Sequence, residues 1–219
     1  MTNAERALDA VEDGNVLGLG TGSAATAFVR GLGERVQNGL RITGVPTSQA
    51  TADLATELGI PLVTLDEAGE LDLTVDGADE ADPQLDLIKG YGGALVREKI
   101  VAASSKRLVI LVGAEKEVKV LGERGRLPVE VVSFGMSLGR RRLEGLGLAP
   151  ELRMKDGKPF KTDNGNCILD CGVGPIADPA ELEREILSIP GVVGSGLFLG
   201  MADTVLIQRG DDVEERQRG

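Results

Sequence analysis

Leu108, Val109, Ile110, Leu111 and Val112 follow one another without a polar residue among them. A strand with one wet face alternates polar and apolar positions. An unbroken apolar run needs burial on both faces, as in a central strand of a parallel sheet with helices above and below. The residues before it fit that demand. Thr2-Asn3-Ala4-Glu5 has the form of a capping box opening a helix. Residues 16–20 read as a strand entering a glycine-rich turn, and 23–36 as the helix that follows. Residues 41–46 read as a strand, after which Ser48 caps a helix reaching residue 58. Strands are expected at 61–65 and 71–75, and a helix at 94–104. Strands alternating with helices predict a parallel sheet covered on both sides.

From about residue 127 the pattern changes. It reads as strand 129–133, helix 136–146, strand 151–154, strand 167–171, helix 179–188 and strand 192–199. A turn signal, Thr162-Asp163-Asn164-Gly165-Asn166, precedes the third of these strands. The order β-α-β-β-α-β is that of a ferredoxin-like unit. Residues 204–208 are expected to return to the first sheet, because the ends of a domain tend to lie together. Residues 210–219 read as a charged, frayed tail. The expected fold class is α/β: a Rossmann-like parallel-sheet domain of residues 1–126 and 200–219, with a smaller ferredoxin-like α+β domain of residues 127–199.

Composition narrows the chemistry. At 219 residues, 42% of them hydrophobic, the chain can bury a sizeable core. No apolar run approaches the ~20 residues of a membrane span. The polar start has no secretory pattern, so a cytoplasmic location is expected, with no membrane partner. The absence of histidine excludes an imidazole base, and with only Cys167 and Cys171 a tetrahedral zinc site is not expected. The two cysteines lie on one face of a predicted strand, ~13 Å apart, and read as core. A net charge of −11 with no tryptophan and one tyrosine argues against nucleic acid as a partner. Arg140, Arg141 and Arg142 read as a solvated helix face.

Three segments can carry chemistry. Gly18-Leu19-Gly20-Thr21-Gly22-Ser23-Ala24 runs from strand to helix, and free N–H groups at such a turn favour an anion. A dinucleotide site needs an acid about 20 residues further on. None stands between Val36 and Ala52, and the corresponding strand end, Val45-Pro46-Thr47-Ser48, is hydroxyl-rich. The lysine of a Walker loop is also missing, so a small phosphorylated ligand fits better. Asp76 and Asp79 flank Gly77-Ala78 at the carboxyl end of a predicted strand, where open α/β sheets place ligands. They can hold and move protons on a polyol; the alternative is an Asx-turn with Asp79 or Glu80 as a helix cap. Lys89-Gly90-Tyr91-Gly92-Gly93 is a second glycine-rich turn ahead of a helix, suited to stabilising an oxyanion. On that helix Glu98 shares a stripe with Ala94, Leu95, Val101 and Ala102. An acid there is either a partly buried proton-abstracting base or half of a buried salt bridge.

Taken in order, these segments resemble the ribose-5-phosphate isomerases of the A type. The matching stretches are GLGTGSA at 18–24, VPTS at 45–48, VDGADE at 75–80 and IKGYGGALVREKI at 88–100. LPVEVV at 127–132, TDNGNCILD at 162–170 and IPGVVGSGLF at 189–198 also match. The resemblance implies interconversion of D-ribose 5-phosphate and D-ribulose 5-phosphate, a non-oxidative pentose phosphate step, without metal or organic cofactor. It implies that Glu98 carries a proton between carbons 1 and 2 through an enediolate. Asp76 and Asp79 match the acids that act on ring opening and the sugar hydroxyls, with Gly77 and Ala78 between them. Lys89, Gly90, Tyr91 and Gly92 match the groups around the developing oxyanion. Thr21, Gly22, Ser23 and Ala24 match the substrate loop, and Lys116 matches a lysine that contacts substrate. The resemblance also suggests a homodimer or homotetramer.

Three departures stand out. Ala24 occupies a position that usually carries a threonine. Tyr91 stands where the family usually has a third glycine. The first lysine is Lys89, so no N-terminal lysine reaches a phosphate. The alternatives are a related sugar-phosphate enzyme on a similar fold, an amino-sugar isomerase or a lactonase, and a sugar-phosphate sensor that binds without turnover.

Thirty-five acidic residues against eight lysines and sixteen arginines suggest adaptation to salt. A salt-adapted chain is expected to show its highest melting temperature in molar KCl. A maximum at low salt would return the acidity to ordinary solubility.

Overall fold

The computed structural model describes all 219 residues. In chain order the elements are α1 (Asn3–Leu8), β1 (Val16–Leu19), α2 (Ser23–Gln37), β2 (Thr43–Pro46), α3 (Gln49–Glu57), α4 (Leu65–Ala68) and β3 (Leu73–Gly77). Two short strands follow, β4 (Glu80–Ala81) and β5 (Leu87–Ile88), then α5 (Leu95–Ala103) and β6 (Leu108–Gly113). The next stretch holds β7 (Arg126–Val131), α6 (Met136–Gly145), β8 (Ala149–Leu152), β9 (Met154–Lys155), β10 (Lys158–Pro159) and β11 (Cys167–Gly172). Last come α7 (Pro179–Leu187), β12 (Val192–Ser195), β13 (Leu197–Phe198), β14 (Thr204–Arg209) and β15 (Asp212–Gln217).

The chain forms two compact units. The first comprises Met1–Ala78, Arg97–Glu117 and Gly200–Gly219. Its six-stranded sheet has the order β15-β14-β6-β3-β1-β2, parallel except for β15. The apolar run of β6 lies between β14 and β3 and is buried throughout, as its composition requires. Side chains of β1 alternate between two helix layers. Leu17 and Leu19 join Phe28, Val29 and Leu32 of α2. Val16 lies with Val45, Leu71 and Val101 of α5 on the other side. Full burial of Phe28 contributes about 2–3 kcal/mol. The capping boxes and caps read from sequence are present: Thr2 with Glu5 opens α1, and Ser48 opens α3.

The second unit comprises Asp79–Val96 and Val118–Leu199. Its four-stranded antiparallel sheet has the order β12-β7-β11-β8. With α6 and α7 as crossovers this is the ferredoxin-like arrangement. Its core gathers Val129, Val131, Leu143, Leu169 and Ile186. A separate three-stranded sheet, β13-β5-β4, belongs to the same unit. For that reason residues 79–96, expected in the parallel-sheet domain, group with the second unit instead, together with residues 118–126.

Four local expectations are corrected. No strand forms at 61–65: Thr64 caps the short helix α4 and exchanges hydrogen bonds with Glu67, while Leu62 makes a single bridge to Gly44. The strand expected at 192–199 breaks at Gly196, whose N–H and carbonyl bond Pro128 O and Lys89 N. Hence β12 pairs with β7 and β13 with β5. Asp156 and Gly157, both at positive φ, turn β9 back onto β10 in a hairpin that was not expected. Finally, residues 210–219 are not a frayed tail. β15 runs antiparallel to β14, Val213 packs on the core, and Glu214 and Arg216 pair with Arg209 and Glu117. The charged residues of this segment are paired with one another and with β14 rather than solvated.

Deleting residues 211–219 is therefore expected to lower the melting temperature by about 5 °C or more, since β14 becomes an open edge. An unchanged melting temperature would contradict the pairing.

Candidate active site

In the first unit, β3 delivers Asp76 to the carboxyl end of the sheet, where it is 1% exposed. Its Oδ1 accepts from Thr21 N–H at 3.0 Å and from Gly77 N–H at 2.8 Å. This geometry explains the glycines of the first turn. A Cβ on Gly20 would collide with the Asp76 carboxylate and lie 2.6 Å from its Cα. A Cβ on Gly18 would meet Thr74 and lie 2.6 Å from Val101 Cγ1, pushing α5 off the sheet. Gly22, at φ +105°, turns the chain into α2, whose first turn has no side-chain cap and no acid. The N–H groups around Ser23 and Ala24 thus open toward solvent, as an anion needs.

Behind this turn lies a cluster of hydroxyls. Thr21 Oγ1 is 2.7 Å from Thr47 Oγ1 and 2.8 Å from Ser48 Oγ. Thr51 Oγ1 donates to Gly20 O at 2.9 Å. The hydroxyl-rich strand end noted in the sequence therefore braces the glycine-rich turn. Glu98 is 5% exposed on α5, on the stripe it shares with buried Leu95, Val101 and Ala102. Lys116 closes a 3-10 turn, Ala114–Lys116, directly after β6, and is half-buried.

In the second unit, Asp79 enters β4 with its N–H on Ile88 O at 2.8 Å. Its Oδ2 accepts from Tyr91 N–H at 2.9 Å. Lys89 is 2% exposed, with Nζ 5.5 Å from the centre of the Phe198 ring. Gly90 and Gly93 take positive φ, and Gly93 N–H closes the turn on Gly90 O at 3.0 Å. Tyr91 does not take positive φ, so its backbone is unstrained in the turn. Its hydroxyl donates to Arg126 O, and the Arg126 guanidinium lies 3.8 Å from the ring centre. Burial pushes the Tyr91 phenol above its ordinary pKa. Glu80, wholly buried, accepts from Gly122 and Arg124 N–H groups, and burial raises its pKa. It fixes a loop rather than capping a helix.

The sequence reading missed Arg153 and Asp170. Arg153 bonds the carbonyls of Gly90 and Tyr91 and pairs with Asp170. The signal was an acid in the middle of the otherwise apolar strand Cys167–Gly172. The cysteines of that strand are buried, unbridged thiols, and burial pushes Cys171 up to about 12. Arg140, Arg141 and Arg142 are exposed, as read.

A parallel sheet whose strand ends carry an uncapped glycine turn and a backbone-bound carboxylate defines a protein of the Rossmann-like α/β class. Comparison with known proteins narrows that class. The family model for ribose 5-phosphate isomerase A (phosphoriboisomerase A) matches residues 43–212. A ribose-5-phosphate isomerase A of Roseiflexus sp. (strain RS-1) is 58% identical over 215 residues, 97% of this chain and 92% of that one. The ribose 5-phosphate isomerase A structure from Methanocaldococcus jannaschii superimposes with TM-score 0.93 at 43% identity, covering 98% of this chain and 96% of that one. A D-ribose-5-phosphate isomerase in complex with phospho-erythronic acid has TM-score 0.95 and 40% identity, with the same coverage. The chain belongs to the ribose 5-phosphate isomerase A family.

Proposed function

We propose that this protein interconverts D-ribose 5-phosphate and D-ribulose 5-phosphate by proton transfer through an enediolate. The observation that carries the reading is the Glu98 carboxylate, 5% exposed on an apolar helix stripe in a chain of this family. On the open-chain aldose, Glu98 takes the proton from C2 while the C1 carbonyl oxygen becomes the enediolate oxygen. The proton returns to C1, and the hydroxyl proton passes from O2 to O1, so atoms and charge balance. Lys89 and the Gly92 N–H of the Gly90–Gly92 turn stabilise the developing oxyanion, while the Tyr91 N–H holds Asp79. Asp76 and Asp79 hold the sugar hydroxyls and serve ring opening. The turn at Thr21, Gly22, Ser23 and Ala24 and the side chain of Lys116 bind the substrate, with Gly77 and Ala78 giving the acids their spacing. The expected site of action is the cytoplasm, consistent with two unbridged thiols, and no helix is long and apolar enough to cross a membrane.

The direct test is isomerisation of D-ribose 5-phosphate with EDTA present and salt varied up to molar KCl. Turnover is expected, and Glu98→Gln should lower kcat by roughly a thousandfold while KM changes less than about threefold. Binding without turnover in the unaltered chain would favour a sensor. Near-normal turnover in Glu98→Gln would remove it from the base role.

We also propose that identical chains associate. Phe134 is fully exposed, with exposed Val132 and Val193 on neighbouring strips joined by the Val132 N–H on Gly191 O at 2.8 Å. Sedimentation should give a dimer or tetramer, and Phe134→Ser should shift it toward monomer. A monomeric unaltered chain would sink the idea.

A further inference from the structure

The turn Gly90–Gly92 is held by groups that lie in none of its own motifs. Arg153 Nη1 donates to Gly90 O at 2.9 Å and Tyr91 O at 3.1 Å. Its Nε donates to Asp170 Oδ2 at 2.8 Å, and its Nη2 pairs with the other carboxylate oxygen. Both side chains are nearly buried, at 11% and 13% exposure. The guanidinium fork is matched on both sides, which a lysine cannot reproduce. Asp170 sits in β11 opposite Pro128 of β7 and Glu151 of β8, so the four-stranded sheet anchors the pair.

Peptide planarity makes this contact directional. The chain contains no cis peptide bond. In a trans peptide the carbonyl of one residue and the N–H of the next point in opposite directions. Arg153, by holding the Gly90 carbonyl, aims the Tyr91 N–H the other way, where it meets Asp79 Oδ2. Its hold on the Tyr91 carbonyl fixes the Gly92 N–H by the same rule. A second brace closes the circuit. Arg126 lies 3.7 Å from Asp170 Oδ1 and stacks on the Tyr91 ring. Tyrosine at position 91 thus gains a contact that glycine lacks.

We propose that Arg153, oriented by Asp170, is a positioning residue for isomerisation: it sets the Asp79 carboxylate and the Gly92 N–H through two peptide planes, with the Arg126–Tyr91 stack as support. The inference rests on the function proposed above. The experiment measures kcat, KM and phospho-erythronic acid affinity for the unaltered chain and for Arg153→Gln, Arg153→Lys, Asp170→Asn and Arg126→Ala, each checked for folding by circular dichroism. The acid places a carboxylate where the enediolate forms, so its affinity reads oxyanion geometry without turnover. Arg153→Gln is expected to lose roughly tenfold to a hundredfold in kcat and a similar factor in affinity for the acid, with KM within about threefold. Arg153→Lys should fail to restore kcat, and Arg126→Ala should lose about threefold.

A folded Arg153→Gln with kcat and acid affinity within about twofold of the unaltered chain overturns the proposal. If Arg153→Gln does not fold, Asp170→Asn and Arg126→Ala decide by the same two readouts. If the unaltered chain does not isomerise ribose 5-phosphate, the functional reading falls, and acid affinity alone decides the positioning role: unchanged in the variants, it overturns the proposal.

Discussion

The first unit depends on one steric fact: β1 must pass the end of β3 with no side chain between them at position 20. The Asp76 carboxylate occupies that space and bonds the N–H of Thr21 across it. Gly18 makes the equivalent allowance on the face where α5 lies. Two glycines in a three-residue motif therefore set the depth of an acid and the seat of the helix that bears Glu98. Gly18 and Gly20 are thus close-approach residues, and Gly22 serves the turn that opens the helix N-terminus. The hydroxyls of Thr47, Ser48 and Thr51 fill the remaining polar demand behind it.

The second unit solves a different problem with charge. Its glycine-rich turn has little side-chain packing of its own, so its carbonyls are held by a guanidinium. That guanidinium is in turn held by a carboxylate inside a strand. Nearly buried charges are tolerable when they are paired and hydrogen-bonded, and Arg153 makes two bonds to the Asp170 carboxylate and two to backbone carbonyls. Tyr91 fits because its backbone stays in an ordinary region and its ring receives Arg126.

Much of this was legible in the sequence because it is local. The caps at Thr2 and Ser48, the buried run of β6 and the apolar stripe around Glu98 each depend on residues within a turn or two. What was hidden depends on distant partners. Residues 79–96 group with the second unit because their strands are two residues long and are completed by β13, far along the chain. β15 looked like solvent-exposed tail because its stability comes from β14 and from ion pairs, not from apolar alternation. The break at Gly196 follows from its two backbone bonds to Pro128 and Lys89, which no periodicity announces. The acid in β11 marks a polar partner there, but the carbonyls that Arg153 bonds lie about sixty residues earlier, where no local pattern points.

The strand order has a consequence for synthesis. β6, the most apolar strand of the chain, is flanked by β3 and β14. During translation its first neighbour is already present, but its second is encoded after the entire ferredoxin-like segment. Until residues 204–209 emerge, β6 offers an open row of backbone donors and acceptors on a greasy strand, the kind of edge that templates aggregation. The nascent chain is therefore most vulnerable while the second unit is being made, and the last strands to arrive are the ones that end the exposure.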